Sequence, residues 1–138
     1  MELKFDSLGK GALKSKRELE TFEMLPEYKF RGGLTTVEFD SGEVCSLCPV
    51  TGQPDINHIT ILFEPKSLLI ETKSLKEYLW SWRDEGIFCE ALATAICNDV
   101  YDAVKPYRVS VTVVQNIRGG IVTKAIAEKE SYWENESV

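Results

Sequence analysis

Histidine, nucleotide-binding glycine loops and long apolar runs are scarce or missing in this chain of 138 residues. The one histidine, His58, does not complete a zinc site with Cys45-x-x-Cys48, because Cys89 and Cys97 lie eight residues apart and match no common zinc spacing. We therefore expect no bound metal. No Gly-x-Gly-x-x-Gly follows a predicted strand, so nothing indicates a Rossmann domain. No apolar run approaches the ~20 residues that a membrane-spanning helix needs.

The residues that are present indicate one globular domain with its own core. Hydrophobic residues make up 43% of the chain and charged residues 28%, and the length suits a single domain. Lysines interrupt the first residues, which do not form a signal-peptide pattern. Four cysteines without a disulfide framework fit a reducing cytoplasm. The formal net charge of −6 argues against a general nucleic-acid binder and leaves room for a small basic pocket.

Hydrophobic periodicity divides the chain into an N-terminal arm over residues 1–27, a folded domain over 28–127 and a polar tail over 128–138. Within the arm we expect one helical turn at 18–24. The domain is predicted to contain strands 34–39 and 57–64, helices 74–84 (capped by Ser74) and 88–103, and strands 108–115 and 121–127.

This ββααββ order predicts an α+β fold in which two helices cover one face of a four-stranded antiparallel sheet. Such a sheet leaves two open edges, which an isolated chain must protect. We therefore expect a homo-oligomer that joins sheets edge to edge in a ring.

The stretch 45–55, CSLCPVTGQPD, combines two thiols with the helix-breaking residues Pro49, Gly52 and Pro54 and with an acid. We interpret it as a shaped loop that holds Cys48 and Asp55 close together between rigid strands. A cysteine nucleophile beside an acid is a catalytic arrangement when its surroundings lower the pKa of the thiol. The alternative interpretation of Cys48 is a small buried structural residue.

Four stretches resemble the QueF family, the NADPH-dependent 7-cyano-7-deazaguanine reductases of queuosine biosynthesis, which reduce a nitrile. The resemblance covers about residues 20 to 127, and the separations between the stretches match as well as the letters. The first is 46–55, which resembles the nucleophile loop, and the second is 71–78, ETKSLKEY, which resembles the signature Glu-(Ser/Leu)-Lys-(Ser/Ala)-hydrophobic-Lys-(Leu/Tyr)-aromatic with departures at Thr72 and Glu77. The third is 83–90, which matches Arg-x-x-Gly-x-Phe-His-Glu with Cys89 in place of histidine, and the fourth is the Arg-Gly-Gly turn at 118–120.

The resemblance implies the tunnelling fold, whose subunits close into barrels with active sites between neighbours. It implies that Cys48 attacks the nitrile carbon to form a thioimide and that Asp55 handles the protons. It places Glu90 on the guanine-like edge of the substrate. The remaining implied contacts are Glu71, Thr72 and Cys89 for substrate and Lys73, Lys76 and Arg118 for the phosphates of NADPH.

Two other functions stay open. The related archaeal QueF-like amidinotransferases keep the cysteine and the aspartate but add ammonia to the nitrile of a base already in tRNA. A non-catalytic deazapurine or pterin binder would keep Glu90 without needing Cys48 and Asp55 together. Because Cys89 replaces the family's histidine, we expect it near Cys48, with the proton work done by Asp55 and water. His58 is the alternative proton carrier, although strand alternation turns it away from Asp55.

Overall fold

The structure, a computed structural model, describes residues 17–25, 28 and 33–131. Most of the predicted arm and tail lie outside the described residues. The strands are β1 (Thr21–Glu23), β2 (Val37–Leu47), β3 (Pro54–Glu64), β4 (Leu68–Ile70), β5 (Arg108–Arg118) and β6 (Ile121–Glu130), and the helices are α1 (Thr72–Trp80) and α2 (Cys89–Val104).

The main sheet is antiparallel with the strand order β2-β3-β5-β6, so the predicted α+β class and ββααββ core are confirmed. Alternate residues of β3 and β5 are buried against the helices, and α2 packs over β5 and β6. Ile59, Ile61 and Phe63 form the buried face of β3, as their spacing predicts. In the described part of the chain, no helix has the length and apolar character needed to cross a membrane.

The helical turn expected at 18–24 is wrong, because β1 forms there instead. It pairs antiparallel with β4, with Phe22 opposite Leu69. The backbone around it is tied to the start of α1, since Glu20 N–H donates to Ser74 Oγ at 2.9 Å and Glu71 N–H donates to Glu20 O at 2.8 Å. A single helical turn is costly to nucleate, and these non-local bonds outweigh it.

The predicted loop at 45–55 is too long, because both flanking strands continue into it. Strand β2 absorbs the turn-like Asp40-Ser41-Gly42 segment in a β-bulge between Ser41 and Val44. Strand β3 begins at Pro54, a position where proline is tolerated because it is the first residue of the strand. Only residues 48–53 remain as the connection.

The helix boundaries also differ from the prediction. Glu71, not Ser74, caps α1, and its carboxylate accepts from the N–H groups of Lys73 at 2.8 Å and Ser74 at 2.7 Å. The helix ends at Trp80, and turns fill residues 81–84. The second helix was predicted to begin at Phe88, but this residue precedes α2 as its N-cap and is 54% exposed.

The last hairpin is longer than predicted. Strand β5 reaches Arg118, and β6 continues into the predicted tail as far as Glu130. The connection is Gly119–Gly120, and both glycines have positive φ, 57° and 77°. That conformation suits a two-residue hairpin turn and disfavours residues with a side chain. The bounds of the arm, domain and tail stay a prediction.

Candidate active site

The bulge in β2 decides which way Cys48 faces. Before it, Ser41 lies opposite Ile59, and after it Ser46 lies opposite Asp55, so β2 has one residue more than β3 between these pairs. The ladder continues to Cys48, whose N–H donates to Gln53 O at 2.8 Å. Side chains alternate along a strand, so with this sequence a ladder without the bulge would turn Cys48 away from Asp55. With it, both lie on the helix-covered face.

A second bulge orients Arg118. Strand β5 has one residue more than β6 between Gln115 and Arg118, which brings Arg118 to the face that carries Asp55. Its guanidinium Nη1 lies 2.7 Å from Asp55 Oδ1. Asp55 is only 3% exposed, whereas the Arg118 side chain is 38% exposed. The partly exposed guanidinium therefore lies between the buried carboxylate and the solvent.

The turn 49–52 surrounds the sulfur of Cys48 with hydrogen-bond donors. The pKa of Cys48 is lowered to about 7, first by the Thr51 hydroxyl and then by the backbone N–H groups of Thr51 and Val50. Burial of the thiol raises the pKa and partly offsets this effect, and Arg118 adds a smaller lowering. Gly52, with φ +71°, lets the turn close by donating its N–H to Cys48 O at 2.8 Å. A thiol of this pKa is substantially ionised at neutral pH and can act as a nucleophile.

The start of α2 lies beside this turn. Leu47 N–H donates to Glu85 O at 2.8 Å, and Ile87 N–H donates to Leu47 O at 3.0 Å, so residues 85–87 pair with the end of β2. Gly86 packs closely enough that an added Cβ would lie 3.6 Å from Pro49 Cα. Cys89 and Glu90 follow at once and therefore lie near the nucleophile turn.

Cys89 does not replace a histidine electrostatically. Burial raises its pKa to about 12, helped by its hydrogen bond to Glu90 and by the negative charge of Asp55. It stays a neutral thiol and donates to Glu90 Oε1 at 3.0 Å. The pKa of Glu90 is lowered by the bond from Cys89 and by its own backbone N–H. Glu90 is exposed at the first turn of α2, so its carboxylate can accept bonds from a ligand.

A second group of predicted residues lies on α1. Thr72, Lys73 and Lys76 border a cleft of about 670 Å³ between α1 and the strands β2 and β3. Its lining combines apolar side chains with both lysines and with the acids Asp40, Glu43 and Glu77. The Glu71 carboxylate caps α1, and its pKa is lowered by the N–H groups of Lys73 and Ser74. Of the residues that the structure describes, those lining this cleft do not include Cys48, Asp55 or Glu90.

One chain thus presents two groups. The first, which we call the nucleophile cluster, comprises Cys48, Asp55, Cys89, Glu90 and Arg118. The second, which we call the helix cluster, comprises Glu71, Thr72, Lys73 and Lys76. Arg118, which was predicted with the lysines as a phosphate ligand, lies in the nucleophile cluster, and its contact with NADPH stays a prediction.

His58 lies on the opposite face of the sheet, as strand alternation predicts. Its Nε2 contacts Oδ1 of Asp40, and about half of each side chain is exposed. Nothing on that face connects it to Asp55 within the described residues, because Asp55 is buried on the other face.

Three residues near the nucleophile were not predicted as site residues. Asn57 and Ser46 are buried, and Asn57 Nδ2 donates to Ser46 Oγ at 3.0 Å and to Val44 O at 3.1 Å. Asn57 Oδ1 has no partner in the described part of the chain. A polar residue on the apolar face of β3, two residues after Asp55, was a signal for Asn57. Thr51, three residues after Cys48 in a turn, was a signal for a hydroxyl donor.

Comparisons with known proteins show which sequences and folds this chain is similar to. A family model described as QueF-like protein matches residues 54–133. A Nitrosomonas europaea protein named NADPH-dependent 7-cyano-7-deazaguanine reductase is 40% identical over 115 residues, covering 81% of this chain and 78% of that protein. A Frankia casuarinae protein of the same name is 42% identical over 125 residues, covering 91% of this chain and 93% of that protein.

A solved structure is also similar to this chain. It is the crystal structure of the archaeosine synthase QueF-Like in the apo form, with a TM-score of 0.65 and 25% sequence identity. The similarity covers 69% of this chain and 93% of that one, so nearly the whole of the smaller protein is represented here. Sequence and fold agree, and the chain belongs to the QueF-like family.

Proposed function

We propose that this protein reduces 7-cyano-7-deazaguanine to 7-aminomethyl-7-deazaguanine with two molecules of NADPH, in the cytoplasmic synthesis of queuosine for tRNA. The observation that carries the proposal is a thiol with a pKa of about 7, Cys48, on the same face as the Asp55–Arg118 pair. A nitrile carbon is electrophilic and accepts a thiolate. Relatives about 40% identical over most of the chain bear the corresponding name.

In the first step the sulfur of Cys48 bonds to the nitrile carbon, and the nitrile nitrogen takes up a proton. The proton that leaves the thiol passes to Asp55 and from there to the nitrogen, which gives a neutral thioimide. NADPH, when bound, supplies a hydride in each of two reductions. After the first, the carbon–sulfur bond breaks and Cys48 leaves with the bonding electrons, which regenerates the thiolate beside Thr51. Asp55 returns protons to the substrate nitrogen.

The nucleophile cluster also contains the groups that would hold the base. Glu90 is exposed and ionised, and it can accept two hydrogen bonds from the guanine-like edge of a deazapurine. Cys89 donates to the same carboxylate and so fixes its orientation. Glu71 and Thr72 are proposed substrate contacts, with the capping role of Glu71 setting its direction.

The helix cluster suits a phosphorylated dinucleotide. Lys73 and Lys76 line the same cleft as Val44, Ile59 and Leu75, so positive charge and apolar surface occur together in it. Phosphate groups pair with ammonium groups, and aromatic rings bury on apolar floors. We assign these lysines to the phosphates of NADPH.

A complete site needs both clusters, and a homo-oligomer would bring them together. Strands β2 and β6 are the open edges of the sheet, and β6 exposes Ile121, Val122 and Ile126. Pairing of such edges between subunits satisfies their backbone groups and covers their apolar side chains. We propose a ring in which the nucleophile cluster of one subunit faces the helix cluster of its neighbour.

Amidinotransferase activity is the second candidate, favoured by two observations. Cys89 stands where the reductases of the family have histidine, and the archaeosine synthase QueF-Like shares the fold at 25% identity. A non-catalytic deazapurine or pterin binder is the third candidate, and a chain that binds the base without turnover would identify it.

The decisive experiment mixes the protein with the nitrile base and NADPH and follows cofactor absorbance and product mass. We expect consumption of two NADPH per aminomethyl product and slower turnover with NADH. Asp55→Asn should bind the base and lose about a hundredfold in turnover. If NADPH is not consumed and added ammonia yields an amidine, the protein is an amidinotransferase.

A further inference from the structure

Arg118 was predicted to bind cofactor phosphate, but its contacts in the structure are with the reacting groups. Nη1 lies 2.7 Å from Asp55 Oδ1. The same guanidinium lies near enough to Cys48 to help lower the pKa of its thiol, although less than Thr51 and Val50 do. We infer that Arg118 is a positioning residue of the nitrile-attack step, because its guanidinium pairs with the proton-handling carboxylate on the face that also carries the nucleophilic sulfur. The inference deepens the proposed function and rests on it.

The backbone is built to bring Arg118 to this place. In the register of β3 with β5, Asn57 lies opposite Gln115, so the extra residue of β5 at 116–117 falls beside Asp55. In the register of β2 with β3, the extra residue falls beside His58. Each strand flanking β3 therefore carries one bulge near its site end. Bulges re-aim side chains next to active sites, and here the two bring Cys48 and Arg118 to the face of Asp55.

The burial of Asp55 makes the pair necessary. A carboxylate that is 3% exposed is costly unless a cation or several donors compensate its charge. Of the described residues, Arg118 is the one whose ion pair with Asp55 is seen. If Arg118 served only a cofactor phosphate, Asp55 would lose that compensation while the nucleophile formed. The planar fork of arginine can satisfy a carboxylate and a sulfur together, which the single ammonium of lysine does less well.

The first test measures alkylation of Cys48 by iodoacetamide from about pH 5 to about pH 10, read by mass spectrometry of the peptide that contains it. Neither nitrile nor cofactor is present. Arg118→Gln should lower the rate at pH 7 by about twofold to fivefold and move the midpoint to higher pH, with the rate at high pH unchanged. Arg118→Lys should fall between this variant and wild type. Arg108→Gln is the matched control, since Arg108 is on the same strand and pairs with Glu128 at the same 2.7 Å; it should leave the profile unchanged.

The second test measures formation of the covalent adduct with the nitrile base by intact mass, without NADPH. Arg118→Gln should slow it by about tenfold or more, and Arg108→Gln should not. If Arg118→Gln keeps the wild-type alkylation profile and adduct rate but raises the KM for NADPH, Arg118 is a cofactor ligand and the inference is wrong. If Arg118→Gln does not fold, Arg118→Lys, which keeps a cation beside Asp55, decides by the same two measurements. If wild type forms no adduct, the proposed function fails, and the alkylation profile still decides the role of Arg118.

Discussion

At the scale of single residues, the thiols of this chain differ in acidity because their surroundings differ. Donors from Thr51 and Val50 lower the pKa of Cys48 to about 7. Burial raises the pKa of Cys89 to about 12 and that of Cys97 to about 11. A thiolate reacts with electrophiles far faster than a thiol. At neutral pH an electrophile should therefore select Cys48 over both of these thiols.

The acidity of Cys48 depends most on Thr51. Thr51→Val keeps the shape of the side chain but removes the hydroxyl donor, so the pKa of Cys48 should rise from about 7 toward the ordinary value of 9.0. Because the reactive form is deprotonated, its fraction at pH 7 should fall while its fraction well above pH 9 stays the same. We expect the midpoint of adduct formation against pH to move upward by about one unit.

The pH dependence of adduct formation in wild type and Thr51→Val checks this. Thr35→Val, an exposed threonine in the segment before β2, is the control and should leave the midpoint in place. A midpoint that does not move in Thr51→Val would show that the hydroxyl does not bond the sulfur.

Proton transfer is expected to need neither Cys89 nor His58. Cys89 is a neutral thiol engaged with Glu90, and His58 contacts Asp40 on the opposite face of the sheet. Cys89→Ala and His58→Ala should therefore each keep adduct formation and about a tenth or more of the turnover. Steady-state kinetics with adduct mass measure both. Loss of turnover in His58→Ala with the adduct still forming would identify His58 as a proton carrier.

At the scale of elements, the bulge in β2 shifts by one residue the set of side chains that face the helices. Phe39 and Ser41 face the helices before it, and Val44 and Ser46 do so after it. A regular strand of the same sequence would have to turn Glu43 inward in place of Val44. The extra residue therefore keeps the buried face apolar while it delivers Cys48 to Asp55.

Two single deletions test the role of the bulge. Removing Gly42 makes the ladder regular with Val44 and Cys48 still facing inward, so the protein should fold and form the adduct. Removing Cys45 also makes the ladder regular, but it puts Glu43 in the buried position of Val44. Because an unpaired buried charge is costly, this variant should be at least about 2 kcal/mol less stable to unfolding. Urea unfolding of both variants measures the difference. Equal stabilities would show that the extra residue does not decide which side chains of β2 are buried.

Periodicity predicted the elements whose patterns are local and long. The buried faces of β3 and β5 and the helix stripes through Leu75 and Leu92 follow directly from spacing. Strand β1 was missed because three residues are too few to show a hydrophobic period. It forms by pairing with β4, which lies far from it in the sequence. The bulge in β2 was missed because Asp40-Ser41-Gly42 resembles a turn, and only the register with β3 shows that the strand continues.

The candidate site was predictable as a set of residues but not as a geometry. The motif in 45–55 identified Cys48 and Asp55, and the match at 83–90 identified Cys89 and Glu90. The contact of Arg118 with Asp55 was not predicted, because its sequence context, a turn with two glycines, says nothing about which face a bulged strand end presents. Asn57 was overlooked because a single polar residue on an apolar strand face does not indicate a partner. The structure shows that it is buried and donates to Ser46.

At the scale of the whole molecule, the two clusters make a strong prediction about assembly. If each site combines the nucleophile cluster of one subunit with the helix cluster of another, two inactive variants can restore each other. Cys48→Ala and a Lys73→Ala/Lys76→Ala double variant should each be inactive alone. Mixed in equal amounts through unfolding and reassembly, they should recover about a quarter of the wild-type activity, since one site in four receives two intact halves.

The control mixes Cys48→Ala with Asp55→Asn, whose defects lie in the same cluster, and it should recover nothing. Light scattering on the same samples should give an oligomer mass at micromolar concentration. A monomeric mass, or the absence of recovery in the first mixture, would place the whole site within one chain.

The pairing of β1 with β4 sets a lower limit on the smallest fragment that can fold. Arg17 donates to Ser81 and stacks on Trp82, Met24 N–H donates to Ser67 O, and the backbone of Glu71 is bonded to Glu20. A truncation that starts at residue 28 would strip these bonds from both ends of α1 and uncover one edge of β4. Residues 17–25 therefore anchor both ends of the helix that carries the lysines. Affinity tags or domain fusions should be attached ahead of Arg17 rather than in place of it.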